Sequence, residues 1–585
     1  MGPFPTPRSL SVRPQRPVRA LVGALLVAAL AACTAGGSPD PSAPATASAD
    51  PGPQPEDVVA TAVIPEGGVD LEVRVHPLVR AGEHVVLTLD LVPLEEVDED
   101  DPVHVTGFGV TSFVAEGRPP VNVRLLDLAR DVVHHVGAGA DGKPVVAPEH
   151  WNRVRADHGT RLQMPFAAPP ADVTGLSLLV PGAPLFADVP IVDGELPSAA
   201  HPDDVAAAAD AAASASARPT GGTSSTATPD DVEPPEALDL DAVVTAPTFP
   251  LESTSAELAG AVRTTESTDR VEVTLGSDVL FPFDSADLAP EAADAVALVA
   301  QRLSERDPGT VQVVGHTDDQ ADDAYNLDLS RRRAQAVADA LGAQVDAAAY
   351  PARVEGRGEQ EPVADNGTDE GRALNRRVTV TLTSTVVTRT DVTTTGELPP
   401  FEALVGTAGT PLPIANNIRK WEVDASARRV HGHVVVDLTV TATDQKDGLG
   451  WAPGFLRGFS SHRGRDTVTP HSITARGSVL QGATRLFPLD YQVGANDAWP
   501  GGEWFTASDL DASSWIDGGQ TRTFSFVYPR LDVETVVFQA GTGTSSATDD
   551  FRLLDVPVAA EVAAEGTAST ASPASPEPTA TTDEN

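Results

Sequence analysis

Apolar and polar positions alternate in short runs over two stretches of the chain, 58–195 and 419–558. In the first, Val85–Val92, Val121–Leu126 and Gly175–Val180 read as strands; in the second, Val434–Ala442, Arg522–Tyr528 and Glu534–Gln539 do. Turn residues interrupt these runs at close spacing and no long helical period intervenes, which predicts antiparallel β-sandwich domains. A different rhythm occupies 267–384. Strand-like Val271–Leu275 precedes Pro290, whose fixed φ suits a helix start, and Val296, Val299 and Leu303 then recur at helical spacing. Val311–Val314 is a compact strand, and a second helix from about Leu327 to Leu341 carries Leu329, Val337 and Leu341 on one stripe. Val354 opens a short strand and Arg377–Leu382 alternates as a closing one. The order β-α-β-α-β predicts an α/β sandwich on a single sheet. The expected fold is therefore multidomain, a central α/β domain flanked by two β-rich sandwiches.

The two β-rich stretches read as copies of one domain. Leu71-Glu72-Val73 matches Trp421-Glu422-Val423, and the run from His84 to Leu89 matches His433 to Leu438. Thr160-Arg161 matches Thr521-Arg522, Asp172-Val173 matches Asp532-Val533, and Asp188-Val189-Pro190-Ile191 matches Asp555-Val556-Pro557-Val558. Residues 33–57, 196–266, 385–418 and 559–585 are instead rich in Ala, Ser, Thr, Pro and Asp without apolar period. Such segments bury too little apolar surface to offset their ordering entropy, so they are expected to be a disordered tether, two linkers and a tail that give the chain wide reach.

Composition narrows the functions. The 585 residues include 84 Asp+Glu against 40 Lys+Arg, a net charge of −44. That excess repels a phosphate backbone and argues against non-specific nucleic-acid binding or a broad polybasic membrane contact. The single cysteine excludes an intramolecular disulfide framework and a Cys-rich zinc site. The acidic run Glu95–Asp101 offers clustered carboxylates but lacks EF-hand spacing, and His134-His135 has no spaced partner, so no metal site and no cofactor are expected.

The cysteine has a special place. Arg8, Arg13, Arg16 and Arg19 precede an apolar run, Ala20–Ala32, with no acidic residue before it. The run is too short to span a bilayer, which takes about 20 residues, and reads as a secretory signal over 1–32. It ends Leu30-Ala31-Ala32-Cys33, which resembles the bacterial lipobox. That resemblance implies cleavage before Cys33 and attachment of diacylglycerol to its thiol, placing the protein in the cell envelope with a lipid in one membrane. Met1-Gly2 with Thr6 also fits a myristoylation pattern, which the complete lipobox outweighs. Loss of four arginines and no acid would take the charge from −44 to −48.

Within the second helix of the α/β block, Arg333 lies four residues from both Leu329 and Val337 and so projects from their apolar stripe. A charge there is paired, serves a ligand, or packs its stem while its head reaches water, and spacing alone leaves these open. The neighbouring motifs decide. Phe281, Phe283-Asp284-Ser285-Ala286 and Leu288 come first, and Gly315-His316-Thr317-Asp318 follows the central strand. Asn326, Leu329-Ser330, Arg333-Ala334, Gly356, Gly358, Glu359, Pro362, Asn366, Thr368, Gly371-Arg372 and Asn375-Arg376-Arg377-Val378 complete the set. Over about 115 residues this resembles the OmpA-like peptidoglycan-binding domain of outer-membrane proteins, peptidoglycan-associated lipoproteins and flagellar stator proteins.

The resemblance implies non-covalent binding of the peptidoglycan stem peptide, chiefly its meso-diaminopimelate, whose ammonium and carboxylate share one carbon. It makes Asp318 the acceptor for the ammonium and Arg333 the planar donor to the carboxylate. Asn326 matches the asparagine completing the pocket, Arg376 the arginine of the closing Asn-Arg-Arg, and Asp284 an aspartate at the rim. Two departures stand out: Ala321 replaces the usual glycine three residues after the aspartate, and Asp319, Asp322 and Asp323 make the loop unusually acidic. No nucleophile elbow, zinc-protease helix, P-loop or dinucleotide fingerprint is present. The expectation is a non-enzymatic lipoprotein tethering a membrane to peptidoglycan, its β-sandwiches acting as spacers or as docking surfaces for another envelope protein. The alternatives are a receptor whose sandwiches bind a partner while the α/β domain only localises it, and a wall-remodelling enzyme.

Overall fold

The computed structural model describes residues 52–561 apart from 98–102, 110–120, 149–151, 157, 200–236, 259, 388–390, 393, 395, 416–418, 445–452, 458–460, 464–466, 468–473, 475, 512–513 and 542–549. The signal sequence, Cys33, most of the acidic run 95–101 and the tail from 562 therefore lie outside the described residues.

The α/β domain contains strand β1 (Arg270–Gly276), the one-turn helix α1 (Ser277–Leu280), helix α2 (Ala292–Ser304), strand β2 (Val311–His316), helix α3 (Asp323–Gly342), strand β3 (Ala352–Gly358), helix α4 (Asp369–Asn375) and strand β4 (Arg377–Thr383). Its strands lie in the order β3-β2-β4-β1. β2 pairs in parallel with β3 and antiparallel with β4, and β4 pairs antiparallel with β1 from Val271↔Leu382 to Leu275↔Val378. Alternation in β1 sends Val271, Val273 and Leu275 into the core, where they meet Val296, Val299 and Leu303 of α2 and Val337 and Leu341 of α3. The predicted strands and helices are all present; α1 and α4 are additions, each too short to show a helical period.

The sheet does not stop at β1. Val262–Glu266 pairs with β1, Ser253–Glu257 pairs with Val262–Glu266, and Ser253–Glu257 in turn pairs with Thr484–Leu486 of the C-terminal β region. Thr248–Pro250 pairs with Val132–His134 of the N-terminal β region. The linker expected over 196–266 is thus corrected for 248–266, which forms three strands. The linker expected over 385–418 is corrected in the same way, since Leu404–Thr407 joins Phe551–Ala559 and Leu412–Ala415 joins Lys420–Val430. These Thr/Ser-rich segments show no core pattern because backbone pairing, in part with sequence-distant strands, orders them. The wide reach expected of the chain does not hold between the described domains.

In the N-terminal β region, Ala60–Glu66, Val69–Val75, His84–Pro93 and Thr160–Ala167 run side by side and antiparallel. Phe186–Val192, Gly175–Leu179, Arg124–Asp127 and Val132–His134 form a second antiparallel group. In the C-terminal region the first group is Leu412–Ala415, Lys420–Val430, His433–Ala442 and Thr521–Arg530. The second is Phe551–Ala559, Thr535–Ala540, Gly477–Gln481 and Thr484–Leu486. Each region encloses its own apolar core. A further cluster joins them: Leu126, Val133, Leu179 and Leu185 of one pack with Val435, Tyr491, Phe505 and Val527 of the other. No helix among the described residues is long and apolar enough to cross a membrane.

Candidate functional site

Close backbone packing positions the site. A Cβ on Gly315 would lie 2.1 Å from the Ser330 carbonyl oxygen, and one on Gly356 would lie 2.6 Å from the Arg331 amide. β2 and β3 can therefore press against α3 only because these positions lack side chains. Asp322 caps α3 by accepting from the Tyr325 amide at 2.9 Å. Ala334 is fully buried, so α3 lies flat and carries Asn326 and Arg333 inward on its buried face.

Arg333 is 5% exposed. Its Nε donates to the Ser285 carbonyl at 2.9 Å and its guanidinium sits 5.2 Å from the centroid of the Phe281 ring. Among the described residues no carboxylate comes within ion-pair distance of it. Burial holds its pKa below the ordinary arginine range, while Asp278 and Asp284 act on it in the opposite sense.

Asp318 follows β2 and is nearly buried. Its Oδ2 accepts from Arg376 Nη1 at 2.6 Å and its Oδ1 from the Gln320 amide at 3.3 Å. Asn326 donates from Nδ2 to the Asp318 carbonyl at 3.2 Å and to Glu359 Oε2 at 2.6 Å. Arg376 is shared: its Nε donates to Asp278 Oδ1 at 2.7 Å while Nη1 holds Asp318. Hydrogen bonding to Asp278 is the main reason its pKa is raised, with Asp318 adding to the effect. Asp284 is exposed, has φ 56°, and accepts a hydrogen bond from the Tyr325 hydroxyl.

The structure thus brings Asp318, Asn326 and Arg376 into direct contact, while Arg333 meets the Ser285 turn that follows Asp284 and is acted on by the charges of Asp278, Arg376 and Asp284. Asp278 was missing from the sequence reading, as was any role for Glu359. Asp278 stands on one-turn α1 and its partner Arg376 is distant in sequence, so no local pattern could have shown it. Other arginines of the block do different work. Arg332 pairs with Asp328 at 2.8 Å along α3, and buried Arg377 donates to the Glu361 carbonyl at 3.1 Å. His316 is buried beside the site, and burial pushes its pKa down to about 3, so the ring stays neutral. Asn375 is fully buried and braces the loop before α4, accepting from the Val363 and Ala364 amides at 2.8 and 3.0 Å.

No group of three or more His, Cys, Asp or Glu side chains among the described residues is arranged to hold a metal ion. His134 and His135 face different partners. His134 Nδ1 lies 3.0 Å from the Ala167 carbonyl, and His135 Nε2 lies 2.8 Å from the Tyr491 hydroxyl.

Residues 280–376 match the model of the OmpA family. The probable lipoprotein YiaD of Escherichia coli (strain K12) is 40% identical over 122 residues, covering 21% of this chain and 55% of that one. The outer membrane protein A of Bordetella avium is 40% identical over 111 residues, covering 19% and 56%. The chain thus spans about half the length of these relatives. The putative lipoprotein YfiB of Escherichia coli (strain K12) is 35% identical over 122 residues, covering 20% of this chain and 75% of that one. Among solved structures, the cell wall anchor of the T6SS from Pseudomonas aeruginosa is 40% identical, with 22% of this chain and 90% of that one covered and a TM-score of 0.20.

Proposed function

The chain belongs to the OmpA family through residues 280–376, and from that premise we propose that it is a non-enzymatic, membrane-anchored lipoprotein that grips peptidoglycan without a covalent bond. The observation that carries this reading is a buried Arg333 with no carboxylate in ion-pair range among the described residues, in the domain where Asp318 stands at the end of β2 held by Arg376. A ligand carbon bearing both an ammonium and a carboxylate fits that pair, as meso-diaminopimelate of the stem peptide does. Asp318 accepts from the ammonium. Arg333, whose Nε is already fixed on Ser285, offers its remaining N–H groups to the carboxylate, a charge-assisted contact in a partly dry site. Asn326 holds the Asp318 backbone in place, Arg376 draws the carboxylate end of the ligand inward, and Asp284 lines the rim.

Cys33 then supplies the second contact through its lipid, and two modest linked contacts retain a protein strongly by effective concentration. The lipoprotein relatives support the anchor. We read the two β regions as copies of one domain. Two features support this: the strand orders run in the same sense, and each hairpin of the second group shifts register at a positive-φ aspartate, Asp188 or Asp555. Their role is spacer or partner surface; no nucleic-acid contact is part of the reading.

Calorimetric titration of the full chain with a diaminopimelate-containing stem peptide tests the pocket. Heat of binding is expected for the parent and none for Asp318→Ala with unchanged circular dichroism; equal binding by both would sink the assignment. Cys33→Ser is expected to move the protein from the membrane to the soluble fraction.

A further inference from the structure

The turn that touches Arg333 exposes an aromatic ring. Phe281 is buried under the Arg333 guanidinium, but Phe283, two residues on, is fully exposed. The turn that presents it is tightly held. The Ser285 amide donates to the Pro282 carbonyl at 3.1 Å, the Asp287 amide to Ser285 Oγ at 2.9 Å, and the Ala289 amide to the Leu280 carbonyl at 2.8 Å. Asp284 adopts a left-handed backbone conformation that costs a non-glycine residue about 1 kcal/mol or more, and the Tyr325 hydroxyl fixes its carboxylate. Leaving a phenylalanine in water forgoes a further ~2 kcal/mol of burial. Tyr325 and Leu327, from the first turns of α3, are also exposed. A rigid turn therefore holds an apolar ring out beside the pocket, at a cost in stability on both counts.

We propose that Phe283 is a stacking platform for a sugar ring of the glycan strand, a subsite adjoining the stem-peptide pocket. The inference rests on the proposed function and extends it from peptide to sugar. Distance favours it. Phe283 lies two residues from Ser285, which touches Arg333, and two residues of backbone span at most about 7 Å. In the wall, two stem residues likewise separate diaminopimelate from the lactyl group of the muramyl sugar. Chemistry favours it too. A pyranose presents a C–H face that packs on an aromatic ring and a rim of hydroxyls that donate to carboxylates, and Asp284 stands directly beside Phe283. A bilayer surface fits less well, because one ring next to Asp284, whose carboxylate meets Tyr325 at the acidic start of α3, is neither a large apolar patch nor cationic.

The test compares two probes on the full chain: the free diaminopimelate-containing stem peptide, and the same peptide carried on its disaccharide. In the parent the disaccharide-peptide is expected to bind about five- to tenfold tighter. Phe283→Ala should erase that ratio while leaving free-peptide affinity within about twofold, and Phe283→Trp should retain it. Equal affinity of the parent for both probes, or an equal loss on both in Phe283→Ala, overturns the subsite while leaving the pocket standing. Absence of binding of either probe to the parent overturns pocket and subsite together. Retention on phosphatidylglycerol–phosphatidylethanolamine vesicles that disappears in Phe283→Ala assigns the ring to a membrane and overturns the sugar reading.

Discussion

Arg333 and Arg522 are both buried arginines, one on the inner face of a helix and one on a strand, yet their surroundings differ in kind. Arg522 is fully buried where the two β regions meet. Its Nη2 lies 2.9 Å from Asp509 Oδ2 and 3.2 Å from Asp511 Oδ2, and its Nη1 lies 3.9 Å from Glu66 Oε1, on the opposite region. Three carboxylates surround one cation, and burial raises Glu66 to a pKa of about 7. Arg333 has the reverse imbalance, a buried cation with backbone and ring contacts but no carboxylate in ion-pair range among the described residues. A cluster whose charges are closed by the chain itself joins two domains. On the proposed reading, the cluster left one anion short is the one that an external ligand completes.

The largest expected effect breaks the sealed cluster. Arg522→Ala strands three carboxylates in a dry interface and is expected to cost about 3–5 kcal/mol, read from the urea midpoint. Arg333→Ala is expected to cost no more than about 1 kcal/mol by the same measurement, because its charge has no partner to strand. Equal losses would erase the distinction drawn between the clusters.

Next in size is a pH effect confined to the sealed cluster. Glu66 is raised in the fold, so the native state holds its proton more tightly and stability from this group falls as pH rises from 4.5 toward 7. Glu66→Gln should therefore match the parent near pH 4.5 and gain on the order of 3 kcal/mol above pH 7. The difference between the two proteins is the quantity to follow, since buried His135 and His316, both lowered to about 3, give the parent an opposing slope below pH 6.5. A pH-independent difference would mean that Glu66 is ionised in the interface. The smallest effect sharpens the open cluster. Asp278→Ala frees Arg376 to neutralise Asp318 more fully and should weaken stem-peptide binding a few-fold, without abolishing it.

The parts legible from sequence were those whose signal is local. Arg333 announced itself by breaking an apolar stripe, and Gly315 and Gly356 by their places in a motif whose close packing the fold explains. Two of the strands at 248–266 were hidden because a stabilising partner is remote: Phe249 pairs with Val133, and Ser255 with Leu486. Asp278 was hidden for the same reason. The Arg522 cluster is likewise hidden, because nothing in the run Asp509-Leu510-Asp511 says that Glu66 will close over it.

The central claim is that the open cluster takes its missing anion from the wall, and sedimentation with purified sacculi tests it most directly. The parent chain should co-sediment and be released by free diaminopimelate, while folded Arg333→Ala and Asp318→Ala remain in the supernatant. Co-sedimentation of both variants at the parent's level, insensitive to diaminopimelate, would contradict it.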